Sequence, residues 1–132
     1  MSELTRIPAP DGLAPAAQYS HVVLGTGTFV AISGQLALDE DGKLVGEGDP
    51  TAQARQVFEN LRRALAAADA TFDDVVKLTY FVTDMAHMPE IRTARAEHIP
   101  DDRLPAASAV QVAALVRPEF LMEVEAFAVV GS

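Results

Sequence analysis

Between positions 50 and 69, apolar side chains recur every third or fourth residue: Ala54, Val57, Phe58, Leu61, Leu65 and Ala68. Arg55, Glu59, Arg62 and Arg63 take most of the remaining circumference, so the spacing predicts an amphipathic helix. Asp49 can cap its free amides, and Pro50 suits a first-turn position where a missing amide costs nothing. A shorter helix is predicted over 88–98, with Met88, Ile91, Ala94 or Arg95, and His98 or Ile99 inward. Elsewhere the period drops to two, or β-branched and aromatic residues run together, over 19–24, 28–33, 75–82, 108–116 and 121–130. Residues 75–82 (VVKLTYFV) are apolar on both faces, which predicts a central strand. Gly25-Thr26-Gly27 predicts a hairpin between the first two strands, and Arg117-Pro118-Glu119 a turn between the last two. Asp39-Glu40-Asp41-Gly42 reads as a polar turn after a short segment at 36–38. The Pro/Gly-rich opening through Pro15 reads as an extended arm or edge strand.

The order β-β-(β)-α-β-α-β-β predicts an α+β fold, a mixed sheet with both helices on one face. The other face still carries valines and alanines, more than a solvated face needs, and that predicts association with further subunits. With 132 residues the chain suits one domain over 1–132. No cysteine is present, which excludes disulfides, thiolate nucleophiles and cysteine-ligated metal. A formal charge of -9 opposes binding to nucleic acid or an anionic membrane. No apolar run approaches the roughly 20 residues that span a bilayer. The first fifteen residues, with two acids and three prolines, make a poor signal peptide. The expected location is the cytoplasm.

Generic catalytic motifs are missing: no phosphate loop, dinucleotide fingerprint, HExxH or GxSxG occurs. His21, His87 and His98 fall in separate elements, so no metal site is expected. Ser33-Gly34-Gln35 is either a strand ending in a glycine turn or a close backbone approach to a ligand. Glu123 and Glu125 share a strand face with Leu121, Phe127 and Val129. Two carboxylates on an apolar strand mark either an edge or solvated face, or a polar pocket.

An ordered set of segments carries a resemblance. It comprises Tyr19-Ser20-His21, Ile32-Ser33-Gly34-Gln35, Asp41-Gly42, and the helix with Gln53, Gln56 and Asn60. It continues through Asp74-Val75-Val76-Lys77, Val82-Thr83-Asp84-Met85, Leu104-Pro105-Ala106-Ala107-Ser108 and Met122-Glu123-Val124-Glu125-Ala126. Over nearly its whole length the chain resembles the RidA/YjgF/UK114 family. The resemblance implies a chorismate-mutase-like fold and a homotrimer with three clefts between subunits. It implies hydrolysis of reactive enamines or imines to 2-oxo acids and ammonia, without a cofactor. It also implies that Glu123 positions the attacking water, with Tyr19, Ser33 and Gly34 lining the cleft.

The family's carboxylate-clamping arginine, in a P-x-R-S pattern, is replaced here by Ala107, and the cysteine position beyond Ser108 by Ala109. A methyl group cannot offer the planar fork of a guanidinium. Arg92 stands where the family usually has asparagine, and Arg95 where an aromatic is common. Arg92 is either a solvated helix residue or a substitute cation entering the cleft. The expected site is thus Glu123 as the catalytic group, with Tyr19, Ser33, Gly34, Arg92 and Ser108 binding substrate. The expected function is deamination with altered specificity; the alternative is a noncatalytic ligand-binding or regulatory homotrimer.

Overall fold

The computed structural model describes residues 3–131; the extreme ends of the 1–132 domain reading lie outside the described residues. Eight principal elements follow in chain order: β1 (Thr5–Ile7), β2 (Val22–Leu24), β3 (Thr28–Gln35), α1 (Pro50–Ala67), β4 (Val75–Val82), α2 (Met88–Ala96), β5 (Ala106–Gln111) and β6 (Met122–Val130). The main sheet has the order β3-β6-β4-β5. Strand β6 runs antiparallel to both β3 and β4, whereas β4 and β5 are parallel. A parallel pair needs a crossover, and α2 supplies it.

Helix α1 begins where Asp49 accepts a hydrogen bond from the Ala52 amide at 3.1 Å. It ends with Asp69 in the left-handed region at φ 55°, the Ala68 and Ala70 amides closing onto the Leu65 carbonyl. Val57, Phe58, Leu61 and Leu65 are fully buried against the sheet and α2. Burying these four contributes roughly 6–12 kcal/mol as an upper bound. The inner face of β6 adds Met122, Val124, Ala126 and Ala128, all buried.

The amides of α1 do a different task. Gln53 is fully buried, donating to the Gly46 and Glu119 carbonyls at 3.0 Å each and accepting from the Leu121 amide at 2.9 Å. It therefore fastens the loop before the helix to the entry of β6. Asn60 donates to the Leu36 and Leu38 carbonyls, and Gln56 donates to Leu38 and to the Asn60 side chain. Loop carbonyls packed against a helix have little access to water, so these side chains satisfy them.

The predicted α+β architecture and the central strand at 75–82 match the structure. Two pairings do not. Strand β2 is antiparallel to β1, while β3 pairs with β6, so the expected hairpin across Gly25-Thr26-Gly27 is absent. At Gly27, with φ 144°, a Cβ would meet the Val130 backbone, so the chain is steered onto β6. Strands β5 and β6 are not neighbours either: β4 lies between them, and β5 stops at Gln111 rather than near 116.

Candidate active site

A cavity of about 230 Å³ opens where α2, the β5 edge and the N-terminal arm meet. Its lining includes Tyr19, Tyr80, Met88, Arg92, Arg95, Ala107 and Ala109. The strand register explains the wall. Leu78 faces Ala107 and Tyr80 faces Ala109 across β4 and β5, and Leu78 and Tyr80 belong to the helix-covered side. The two alanines therefore present only methyl groups to the space between strand and helix. Met88, Arg92 and Arg95 reach the same space from α2, at the i, i+4, i+7 spacing of one helix face.

The arm is held rather than draped. Ser20 is buried, its hydroxyl donating to the Leu104 carbonyl at 2.7 Å and its amide to Pro105 at 3.0 Å. The Arg95 guanidinium, also buried, donates to the Ile99 carbonyl, to Asp101 and to Gln18 at 2.9–3.0 Å. Residues on both sides of Tyr19 are thus fixed to the loop before β5 and to α2. Tyr19 itself packs edge-on to His21, with centroids 5.3 Å apart.

Gly34 and Glu123 form a second group. Between Ile32 and Gln35 the β3–β6 register slips by one residue, leaving Ser33 and Gly34 opposite Glu125. Such a bulge re-aims the backbone locally. Here it lays Gly34 on the Glu123 side chain: a Cβ at position 34 would fall on the carboxylate, 2.6 Å from Cδ. Ser33 is exposed on the same edge. A larger, open cavity of about 560 Å³ begins at Gly34 and runs past Asp39, Glu40 and Glu59.

The six expected site residues therefore separate. Tyr19 and Arg92 line the α2–β5 cavity, while Ser33, Gly34 and Glu123 gather at the β3–β6 edge. Ser108 contributes to the cavity wall, but its hydroxyl accepts from Lys77 Nζ at 3.1 Å. Glu123 pairs with Phe81 of β4 on the helix-free sheet face, two strand spacings or roughly 10 Å from β5. One copy of the chain does not bring the two groups together.

The electrostatics single out Arg92. Each of the other arginines is hydrogen-bonded or ion-paired to protein, as in Arg55–Glu97, Arg62–Glu59, Arg63–Glu59, Arg103–Asp73 and Arg117–Glu119, with Arg6 on the Asp73 carbonyl. Arg92 makes no hydrogen bond or ion pair among the described residues, although the chain carries a net charge of -9. Burial pushes the Tyr80 phenol up to about 12, against the pull of Arg95 and Arg92, so it stays protonated at neutral pH. Tyr80 and Gln18 are site residues the sequence reading missed. Tyr80 sits in a strand whose other inward residues are core, and only the two alanines opposite open a space beside it. No group of three or more His, Cys, Asp or Glu that could hold a metal occurs among the described residues. No helix among them is long and apolar enough to cross a membrane.

Residues 9–130 match the family model described as Endoribonuclease L-PSP. The chain belongs to that family, whose solved members include Rid proteins. Among its relatives, Protein HMF1 of Saccharomyces cerevisiae is 35% identical over 115 residues, 87% of either chain. The 3-aminoacrylate deaminase RutC of Acinetobacter baylyi is 36% identical over 119 residues, covering 90% of this chain and 93% of RutC. The crystal structure of YyfB from Yersinia pestis, described as a conserved Rid protein of unknown function, superposes with a TM-score of 0.85 at 34% identity. It covers 95% of this chain and 98% of YyfB. The mixed sheet with two helices on one face is the chorismate-mutase-like fold of this family.

Proposed function

We propose that this chain is a hydrolytic deaminase of small enamines or imines, a single domain acting as a cytoplasmic homotrimer. The observation that carries the reading is the separation of the two residue groups. The cavity with Arg92 and Tyr19 has no carboxylate among its lining residues, and the cavity that begins at Gly34 has as its cation Arg63, already paired with Glu59. A second copy presenting its β3–β6 edge to the cavity joins them. The exposed apolar residues of the helix-free sheet face, Phe29 at 64% and Val110 at 44%, supply a reason for copies to associate. The deaminase RutC among the relatives favours this chemistry. A cavity of about 230 Å³ suits a small molecule rather than a polymer.

The reaction needs little from the protein. A protonated imine carbon is already electrophilic. Water held by Glu123 adds to it as the carboxylate takes a proton, giving a carbinolamine. Glu123 passes that proton to the nitrogen, the C–N bond breaks with its electron pair leaving on ammonia, and the Glu123 carboxylate takes the hydroxyl proton as the carbonyl forms. An enamine enters the same path after protonation at carbon. Serine and amide groups at the Ser33–Gly34 bulge line the cleft, and Tyr19 covers it.

The test generates 2-iminobutyrate with an amino-acid oxidase and follows its decay. Glu123→Gln is expected to lower the rate constant by about 10²- to 10⁴-fold while the protein stays folded. A Glu123→Gln variant within twofold of wild type removes Glu123 from the chemistry. Wild type inactive on neutral and anionic imines, with Ala107→Arg also inactive though folded and trimeric, ends the deaminase assignment. Wild type inactive but Ala107→Arg active favours the noncatalytic binding trimer instead. Sedimentation equilibrium is expected to give three times the 14.0 kDa chain mass; a monomer at micromolar concentration overturns the assembly.

A further inference from the structure

We infer that, with alanine at position 107, recognition of a substrate carboxylate in this cavity lies on the α2–β4 wall, with Arg92 as the charged fork and Tyr80 as a specificity-determining hydroxyl. The inference deepens the deaminase reading and rests on the same cavity. Three observations support it. Arg92 is the arginine without a protein partner among the described residues, and it is an exposed residue that lines the cavity mouth. Tyr80 is 7% exposed and lines the same cavity, with no acceptor for its hydroxyl among the described residues. The facing strand offers the Ala107 and Ala109 methyl groups and Ser108, whose hydroxyl accepts from Lys77, so it contributes no charge.

The chemistry of the donors then fixes the ligand class. A guanidinium only donates, and a neutral phenol can donate beside it, so an anion with at least two acceptor oxygens complements the pair. Arg95 is a positioning residue here. Three of its five N–H donors are committed to Ile99, Asp101 and Gln18, and Arg92 has no such commitments to compete with a ligand. Asp101, at 84% side-chain exposure, offsets the Arg95 charge from outside the cavity. Size sets the rest. At about 30 Å³ per water, 230 Å³ corresponds to roughly seven water-sized groups, hence a ligand of about that many heavy atoms.

The experiment measures binding without turnover, by NMR titration of the full chain with 2-oxobutyrate and with its neutral isostere 2-oxobutanamide. Wild type is expected to prefer the acid. Arg92→Ala is expected to weaken acid binding by about thirtyfold or more and to erase the preference, with Arg92→Lys recovering part of it. Tyr80→Phe, which keeps the ring and its packing, is expected to weaken the acid by about fivefold and leave the amide within twofold. The inference is overturned by a wild type without preference for the acid. It is equally overturned by an Arg92→Ala variant that retains the preference, or by a Tyr80→Phe variant that binds the acid as wild type does. Acid preference without any imine hydrolysis sinks the deaminase reading and leaves this assignment standing; hydrolysis without acid preference does the reverse.

Discussion

Gly34 lies directly against the carboxylate of Glu123, with no room between them for a methyl group. The atoms a Cβ would meet, Oε2, Cδ and Cγ, are the far end of a flexible side chain, so the side chain can yield where a backbone could not. Gly34→Ala therefore moves the carboxylate and spares the fold. The expected outcome is a fall in imine-hydrolysis rate of at least about tenfold, or 1.4 kcal/mol of barrier. The melting temperature should stay within about 3 °C, less than 1 kcal/mol for a chain of this size. A large loss of stability with normal activity in the surviving protein would contradict this account.

Gly27 makes the opposite case. Its φ of 144° disfavours any side chain, and a Cβ would meet the carbonyl of Val130, 2.8 Å from the carbon. Backbone in the first pair of the β3–β6 ladder cannot swing aside as a carboxylate does. Gly27→Ala is expected to cost about 1–3 kcal/mol, measured by denaturant unfolding at fixed protomer concentration. A neutral result would mean that the strand entry is looser than its geometry.

What was legible in the sequence follows from the range of the interactions. Helix α1 and its Asp49-Pro50 start depend on neighbours within a turn or two, and β4 depends on its own run of apolar residues. Both were readable locally. The pairing of β2 with β1 and the insertion of β6 between β3 and β4 depend on contacts across the whole chain, and local turn signals at Gly25–Gly27 and Arg117–Glu119 pointed to the wrong partners. For the site, Tyr19 and Arg92 do reach one cavity. Tyr80 was hidden because an aromatic in a buried strand reads as core. Its exposure to a cavity is decided by Ala107 and Ala109, thirty residues away on roughly the same scale as the crossover helix.

Gln53 has a polar side chain where the helical pattern asks for an apolar one, and it satisfies three backbone groups in a fully buried position. Gln53→Leu leaves the Glu119 carbonyl and the Leu121 amide without that partner, while the Gly46 carbonyl still accepts from the Asp49 amide. At roughly 1–3 kcal/mol for each unsatisfied buried group, the expected loss is about 3 kcal/mol or more. Thermal unfolding at matched concentration should show it as a drop on the order of 10 °C. A change below about 2 °C would show that these groups find other partners at little cost.

Hydrogen bonds from Arg62 and then Arg63 hold the Glu59 carboxyl down at about 2, well below its ordinary 4.5. A carboxylate depressed in the folded state stabilises the fold at pH above 4.5, and that contribution disappears as pH falls toward 2. The pair lies on the surface and is screened by salt, so the effect is small. Glu59→Gln is expected to melt slightly below wild type at pH 7 in low salt. The gap should close as pH is lowered through that window. A gap that widens in acid would reverse the sign of this argument.

Arg92 and Ala107 face one cavity from opposite walls, the helix and the strand, which makes their effects interdependent. Arg92→Ala removes the unpaired fork, and an arginine introduced at position 107 would enter the same space from β5. In the Arg92→Ala background, Ala107→Arg is therefore expected to restore kcat/KM for anionic imines by about tenfold or more, because it returns a cation to an emptied cavity. In the wild-type background the same substitution meets Arg92 within about 230 Å³, where like charges repel and side-chain volume competes with substrate. There the expected gain is no more than about threefold, and a loss is equally consistent with crowding. The coupling between the two substitutions, read from the full cycle of four proteins, should therefore exceed about 1 kcal/mol. Strictly additive effects would show that the two positions act on separate sites, and would return Arg92 to the solvated face of α2.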